Sequence, residues 1–215
     1  MSNREYKPFY HCRLPHWQPR SVPIFLTWRL AGSLPKYVLE ALTAERAALE
    51  RDPRWKDLNI DWGVIQRKRL FGKWDEDLHQ SDVGPRWLTQ PEVAECVRQV
   101  LHDGAESFYV LHAYTLMPNH IHVLLTPREN SQTDNPFPPG VIIQRIKGIS
   151  SRQANVVLER TGQSFWAHES YDHWIRNPQE FERVAAYIVN NPVKAGLVAD
   201  WNVWPWTWVA EELLI

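Results

Sequence analysis

The stretch FYVLHAYTLMPNHIHVLLTP, residues 108–127, decides the fold. It holds two β-rich runs, FYVLHAYTLM and HIHVLLTP, separated by the tight Pro118–Asn119 pair, and reads as an antiparallel hairpin. Side chains alternate along a strand, so His120 and His122 share one face. Ile121 and Val123 share the other and point to a core. Two imidazoles reaching in the same direction form a natural bidentate metal site. The same pattern is also what a half-exposed strand with partly buried polar residues looks like.

Working outward from the hairpin, VPIFLTWRLAG (22–32) reads as a first strand, and PKYVLEALTAERAALER (35–51) as a helix with Pro35 in its first turn. A second helix fits 90–103, with Thr89 as its cap and Val93, Val97, Val100 and Leu101 inward. A third spans about 140–159, with Ile142, Ile146 and Ile149 inward and a loop, TGQSFWAHESYDHW, after it. The last helix begins at Asn177 as N-cap, with Pro178 as its first residue and Glu180 as capping-box partner. It is expected to end near Pro192, because a residue before proline avoids the α region. The order strand, helix, helix, strand, strand, helix, helix predicts an α+β sandwich, an antiparallel sheet with helices on one face. The whole chain, 1–215, reads as one domain. It carries an irregular, proline-rich N-terminal arm (about 1–21) and a charged, poorly periodic, insertion-like segment (about 52–88).

Composition narrows the function. Apolar residues make up 44%, enough for a sizeable core, and the formal net charge is −1, so nucleic acid would have to meet a local patch. Cys12 and Cys96 have no zinc-finger or CxxC spacing, which points to a reducing compartment. There is neither a signal-peptide pattern nor an apolar run approaching the roughly 20 residues of a membrane span. The expectation is a cytoplasmic protein without a membrane partner.

A metal held by the histidines needs a third ligand, and the last helix supplies one. Phe181, Val184, Ala185 and Ile188 recur at core spacing, while Tyr187 and Asn191, four residues apart, lie over each other. An amide oxygen suits Mg²⁺ or Mn²⁺, and a tyrosine beside such an ion can act as a nucleophile. A tyrosine on a helix flank is otherwise ordinary core with a wet hydroxyl.

Beyond these residues, LPHWQP (14–19), LHAYTLMPNHIHVLL (111–125), IKGISSRQAN (146–155), FWAHESYDHWIRNPQEFERVAAYIVNNPVKAGLV (165–198) and DWNVWPWTW (200–208) occur in order. With them the chain resembles the single-tyrosine HUH transposases, IS200-like, and in particular their REP-associated branch. The resemblance covers roughly residues 10–30 and 108–208.

The resemblance implies a ferredoxin-like (RRM-like) sandwich with the histidine strand at the centre of the sheet. His120 and His122 then match the histidine–hydrophobic–histidine motif, Tyr187 the nucleophile and Asn191 the residue completing the metal site. The implied activity is metal-dependent cleavage and rejoining of single-stranded DNA beside REP-type palindromic hairpins, through a 5′-phosphotyrosine and with Mg²⁺ or Mn²⁺. The implied state is a monomer carrying its tyrosine in cis. Three neutral ligands would leave the ion its full charge, and no set of acidic ligands is evident in the sequence.

Candidate DNA-binding residues are Arg145, Lys147, Arg152, Asp172, His173 and Lys194, with Arg67, Lys68 and Arg69 as a second patch. Trp17, Trp28 and Trp166 are candidates for base stacking, and Tyr171 is the rival nucleophile. The alternatives are a hairpin-binding protein with little catalysis and a small-molecule metal hydrolase using the histidine pair. Replication initiators and relaxases are typically longer chains or carry a helicase.

Overall fold

The structure is a computed structural model that describes residues 9–11, 15–17, 22–51, 60–81, 83–133 and 135–213. Cys12, residues 52–59 and the side chains of Trp17 and Arg67 lie outside the described set. In chain order the elements are β1 (Phe9–His11), β2 (Pro15–Trp17), β3 (Ile24–Arg29), α1 (Lys36–Arg51), α2 (Ile60–Gln80), α3 (Pro91–Ala105), β4 (Tyr109–Leu116), β5 (His120–Pro127), β6 (Glu129–Asn130), β7 (Asn135–Pro136), α4 (Pro139–Val157), β8 (Tyr171–Trp174), α5 (Pro178–Lys194) and β9 (Thr207–Val209). No described helix is long and apolar enough to cross a membrane.

Five antiparallel strands form the main sheet in the order β8-β3-β5-β4-β9, which puts the histidine strand at its centre. Ile121, Val123 and Leu125 face a core with Leu26 and Trp28 of β3, Val93, Val97 and Leu101 of α3, and Ile142 and Ile146 of α4. A bulge between Leu111 and Ala113 shifts the pairing of β4 by one residue. It lets Tyr109 and Leu111 share this core with Tyr114 and Leu116, which strict alternation would send to opposite faces.

The α+β sandwich is therefore present, and the sequence reading omits its second helical layer. Phe25, Ala113 and Leu124, on the histidine face, pack against Ala185 and Ile188 of α5 and Phe71 of α2. Helices thus lie on both faces.

Local departures from the expectations have physical reasons. The N-terminal arm is not wholly irregular, because β1 and β2 pair, Phe9 with Trp17 and His11 with Pro15; a proline is tolerated at a strand's first residue. Thr89 is not the cap of α3: its hydroxyl donates to the Arg86 carbonyl, and Gln90 takes the N-cap position. The expected loop after α4 contains β8, an edge strand paired with β3.

Helix α5 starts as read, with Asn177 Oδ1 accepting from the Glu180 N–H at 2.8 Å. The Glu180 carboxylate reaches one residue further back than a capping box requires, to the Arg176 N–H at 2.9 Å. The helix runs on through Pro192 to Lys194. It closes in a Schellman motif, with Gly196 at φ +69° donating to Val193 and Leu197 donating to Pro192.

Two stability predictions arise here. Gly84 has φ +89°, and a Cβ there would overlap the Gly32 carbonyl. Gly84→Ala is expected to cost about 2 kcal/mol or more, read as a lowered denaturation midpoint.

Buried Glu180 ties three elements together, accepting from Lys68 Nζ at 2.6 Å and His173 Nε2 at 2.9 Å as well as from Arg176 N–H. Burial alone would raise its carboxyl; these hydrogen bonds outweigh burial and bring it down to about 2. A carboxyl depressed in the folded state contributes stability above its unfolded value, lost as pH falls through the folded one. The melting temperature of the wild type should therefore fall between about pH 4.5 and 2 by more than that of Glu180→Gln. The variant should already be weaker at pH 7, by about 2 kcal/mol.

Candidate metal centre and tyrosine

The two histidines owe their common aim to the pleat of β5 and their fixed orientation to neighbours. His120 Nδ1 lies 2.7 Å from Asn119 Oδ1. The Asn119 amide nitrogen donates to the Leu78 carbonyl at 3.0 Å, so the oxygen must face the imidazole, and His120 carries its proton on Nδ1. His122 Nδ1 lies 2.8 Å from Thr27 Oγ1, one strand over. The two Nε2 atoms converge, 3.2 Å apart. Two ring nitrogens this close call for a shared proton or a cation between them.

The face is completed by α2 and α5. Asp75 Oδ1 is 3.2 Å from His122 Nε2 and 3.8 Å from His120 Nε2, fully buried and without a hydrogen-bond partner. Asp75 Oδ2 accepts the Tyr187 hydroxyl and lies 3.5 Å from Lys194 Nζ and 3.9 Å from His79 Nε2. His79 Nε2 in turn is 2.9 Å from Asn191 Oδ1. The donor atoms of Asp75, His79, His120 and His122 all lie within 4.8 Å of one another.

Burial would raise the Asp75 carboxyl, but the close approach of the His122 imidazole, with His120 and His79 nearby, holds it well below the usual carboxylate range. Burial pushes His120 and His79 down, toward neutrality. Tyr187 is pushed far up by burial and by the charge of Asp75. An ionised carboxylate beside His120 and His79, both pushed toward neutrality, with one lysine at 3.5 Å, is a buried site that a divalent cation suits. The residues present therefore fit a metal.

The structure brings His120, His122, Tyr187 and Asn191 into one neighbourhood. The ring of Tyr187 stands 5.5 Å from that of His122, edge on. Contrary to the expectation of neutral ligands only, Asp75 sits in the cluster with His79 beside it. Their signal was available: the two are four apart, the spacing that aligns donors on one helical face. It was obscured because the inner face of α2 mixes Phe71 and Leu78 with polar residues, so the segment shows little amphipathic period.

The other candidates are spread out. Lys194 joins the site, its ammonium 5.5 Å above the Tyr187 ring. Lys147 donates to the carbonyls of Ala167, His168 and Glu169 at 2.9–3.2 Å, and so braces that loop. His173 is bonded to Glu180, and Asp172 is half-buried on β8. Arg145 and Arg152 are exposed on α4, across the sheet from the histidines; Arg145 lies 4.4 Å above the Phe108 ring. Lys68 is committed to Glu180, and Arg69 is exposed. Trp28 and Trp166 are core residues, edge to face at 6.1 Å, which removes them as stacking platforms. Tyr171 is stacked on Phe71 at 4.1 Å.

Comparison with known proteins accords with this geometry. A family model described as "Transposase IS200 like" matches residues 86–191, so that region of the chain is similar to the IS200-like transposases. The match includes the histidine pair, Tyr187 and Asn191; Asp75 and His79 precede it. Among solved structures the chain is similar to a REP-associated tyrosine transposase bound to a REP hairpin, with 18% identity and a TM-score of 0.50. That similarity covers 96% of this chain and 82% of the other, and supports the fold. No curated protein matches.

Proposed function

We propose that this chain is a metal-dependent endonuclease and strand transferase for single-stranded DNA, cutting beside REP-type hairpins through a 5′-phosphotyrosine on Tyr187. The observation that carries the reading is the Tyr187 hydroxyl bonded to Asp75 in direct contact with the His120–His122 pair.

His120 and His122 would hold a Mg²⁺ or Mn²⁺ ion together with an oxygen donor from the facing helices. When bound, such an ion withdraws charge from the scissile phosphate and orients it. Tyr187 Oη attacks phosphorus, and its proton passes to Asp75 Oδ2, which already accepts it. The bond from phosphorus to the 3′-oxygen breaks, and that oxygen leaves as a hydroxyl after taking a proton from water. The 5′ end stays on Tyr187, and a 3′-hydroxyl attacking that phosphotyrosine reverses the step.

Lys194, exposed at the site's edge, is placed to meet a phosphate oxygen. Arg145 and Arg152 are reserved for more distant backbone contacts. Because the tyrosine and the histidines meet within one chain, the reading includes a monomer acting in cis. The test is a labelled single-stranded REP-type hairpin with Mg²⁺ or Mn²⁺. The reading expects a metal-dependent nick and a covalent protein–DNA species; binding without either would favour a hairpin-binding protein.

A further inference from the structure

We propose that the third protein ligand of the metal is Asp75 of α2, and that Asn191, one turn beyond Tyr187, serves as a positioning residue instead. This rests on the metal-dependent reading above and decides between the two oxygen donors it leaves open.

The hydrogen bonding separates the candidates. Asn191 Oδ1 already has a partner in His79 Nε2, at 2.9 Å. Asp75 Oδ1 is fully buried, has no hydrogen-bond partner among the described residues, and lies 3.2 and 3.8 Å from the Nε2 atoms of His122 and His120. A buried carboxylate oxygen left unpaired is costly, and a cation shared with the two Nε2 atoms would remove that cost. Two imidazoles and a carboxylate on one side of an ion leave its other side open, as a phosphate requires. Asp75 Oδ2 remains turned to Tyr187 and Lys194, so one side chain would link ligand shell and nucleophile. His79, one turn after Asp75, links the Asn191 amide oxygen to this helix.

The position of α2 follows from this role. Lys68 binds Glu180 at 2.6 Å, Phe71 stacks on Tyr171, and the Leu78 carbonyl holds Asn119. These contacts run along the helix on both sides of Asp75 and fix it over the histidines. The segment that carries no recognisable family motif thus supplies the anionic ligand.

The test is Mn²⁺ affinity of the full chain without DNA, by calorimetry and by the loss of free-ion paramagnetic resonance signal, with circular dichroism as a check of folding. Asp75→Asn should weaken Mn²⁺ binding at least about tenfold, whereas Asn191→Ala should change it less than about threefold. The infrared difference spectrum of the wild type on adding Mn²⁺ should show a shifted carboxylate stretch. Should Asp75→Asn fail to fold, Asn191→Ala and the wild-type spectrum still decide. An Asn191→Ala loss equal to or larger than that of Asp75→Asn, or no carboxylate shift, overturns the assignment. A wild type that forms the DNA adduct but shows either result refutes the ligand assignment alone; one that binds no Mn²⁺ and forms no adduct refutes both.

Discussion

Tyr187→Phe is expected to lower cleavage of a single-stranded hairpin by about 10⁴-fold or more, since nothing else within reach can take over the displacement. Hairpin affinity should stay within a few-fold of wild type. The ring itself packs edge on against Phe25 at 5.9 Å and against His122, contacts that phenylalanine keeps. What disappears is the hydroxyl, and with it the bond to Asp75. A gel assay with end-labelled DNA, run beside a binding titration, separates the two effects. Tyr171, whose ring is stacked on Phe71 at 4.1 Å, is not expected to substitute.

The second large effect is expected from the imidazoles. His122→Ala removes the group at the centre of the cluster: its ring contacts Tyr187, Phe25 and His120, its Nδ1 meets Thr27, and its Nε2 meets Asp75. Cleavage should fall about 10²–10³-fold, the usual scale for losing one electrostatic element of a preorganised site. The loss should be partly recovered by raising Mn²⁺, because a weakened site can still be filled by mass action. A Tyr187→Phe chain would show no such recovery, and that contrast distinguishes loss of the ion from loss of the nucleophile.

How much of this was legible in the sequence follows from the range of each signal. The pairing of His120 with His122 is local and set by the two-residue repeat of a strand, so it could be read at once. Tyr187 and Asn191 sit on a helix whose start is marked by Asn177 and Pro178, and whose apolar stripe is clear. Asp75 lies 45 residues before His120, and no local period links a helix residue to a strand it later covers. Its helix was also hard to read, because its inner face carries chemistry as well as packing. Lys147 and His173 show the converse. As letters they are candidate DNA contacts, His173 equally a candidate for a structural hydrogen bond, and in the fold their donors go to backbone carbonyls and to Glu180. Pro192 shows that a proline marks a helix end only as a bias: α5 carries it within its last turn, and Gly196 provides the stop.

The most direct test of the central claim, that the phenol and the imidazole pair form one DNA-cutting centre, is mass mapping of the covalent product. The wild-type chain would be incubated with a single-stranded REP-type hairpin and Mn²⁺, digested, and searched for a nucleotide-bearing peptide. The account predicts one modified residue, Tyr187, on the peptide spanning the end of α5. A nucleotide on Tyr171 or elsewhere, or DNA cut with no protein attached, would contradict it.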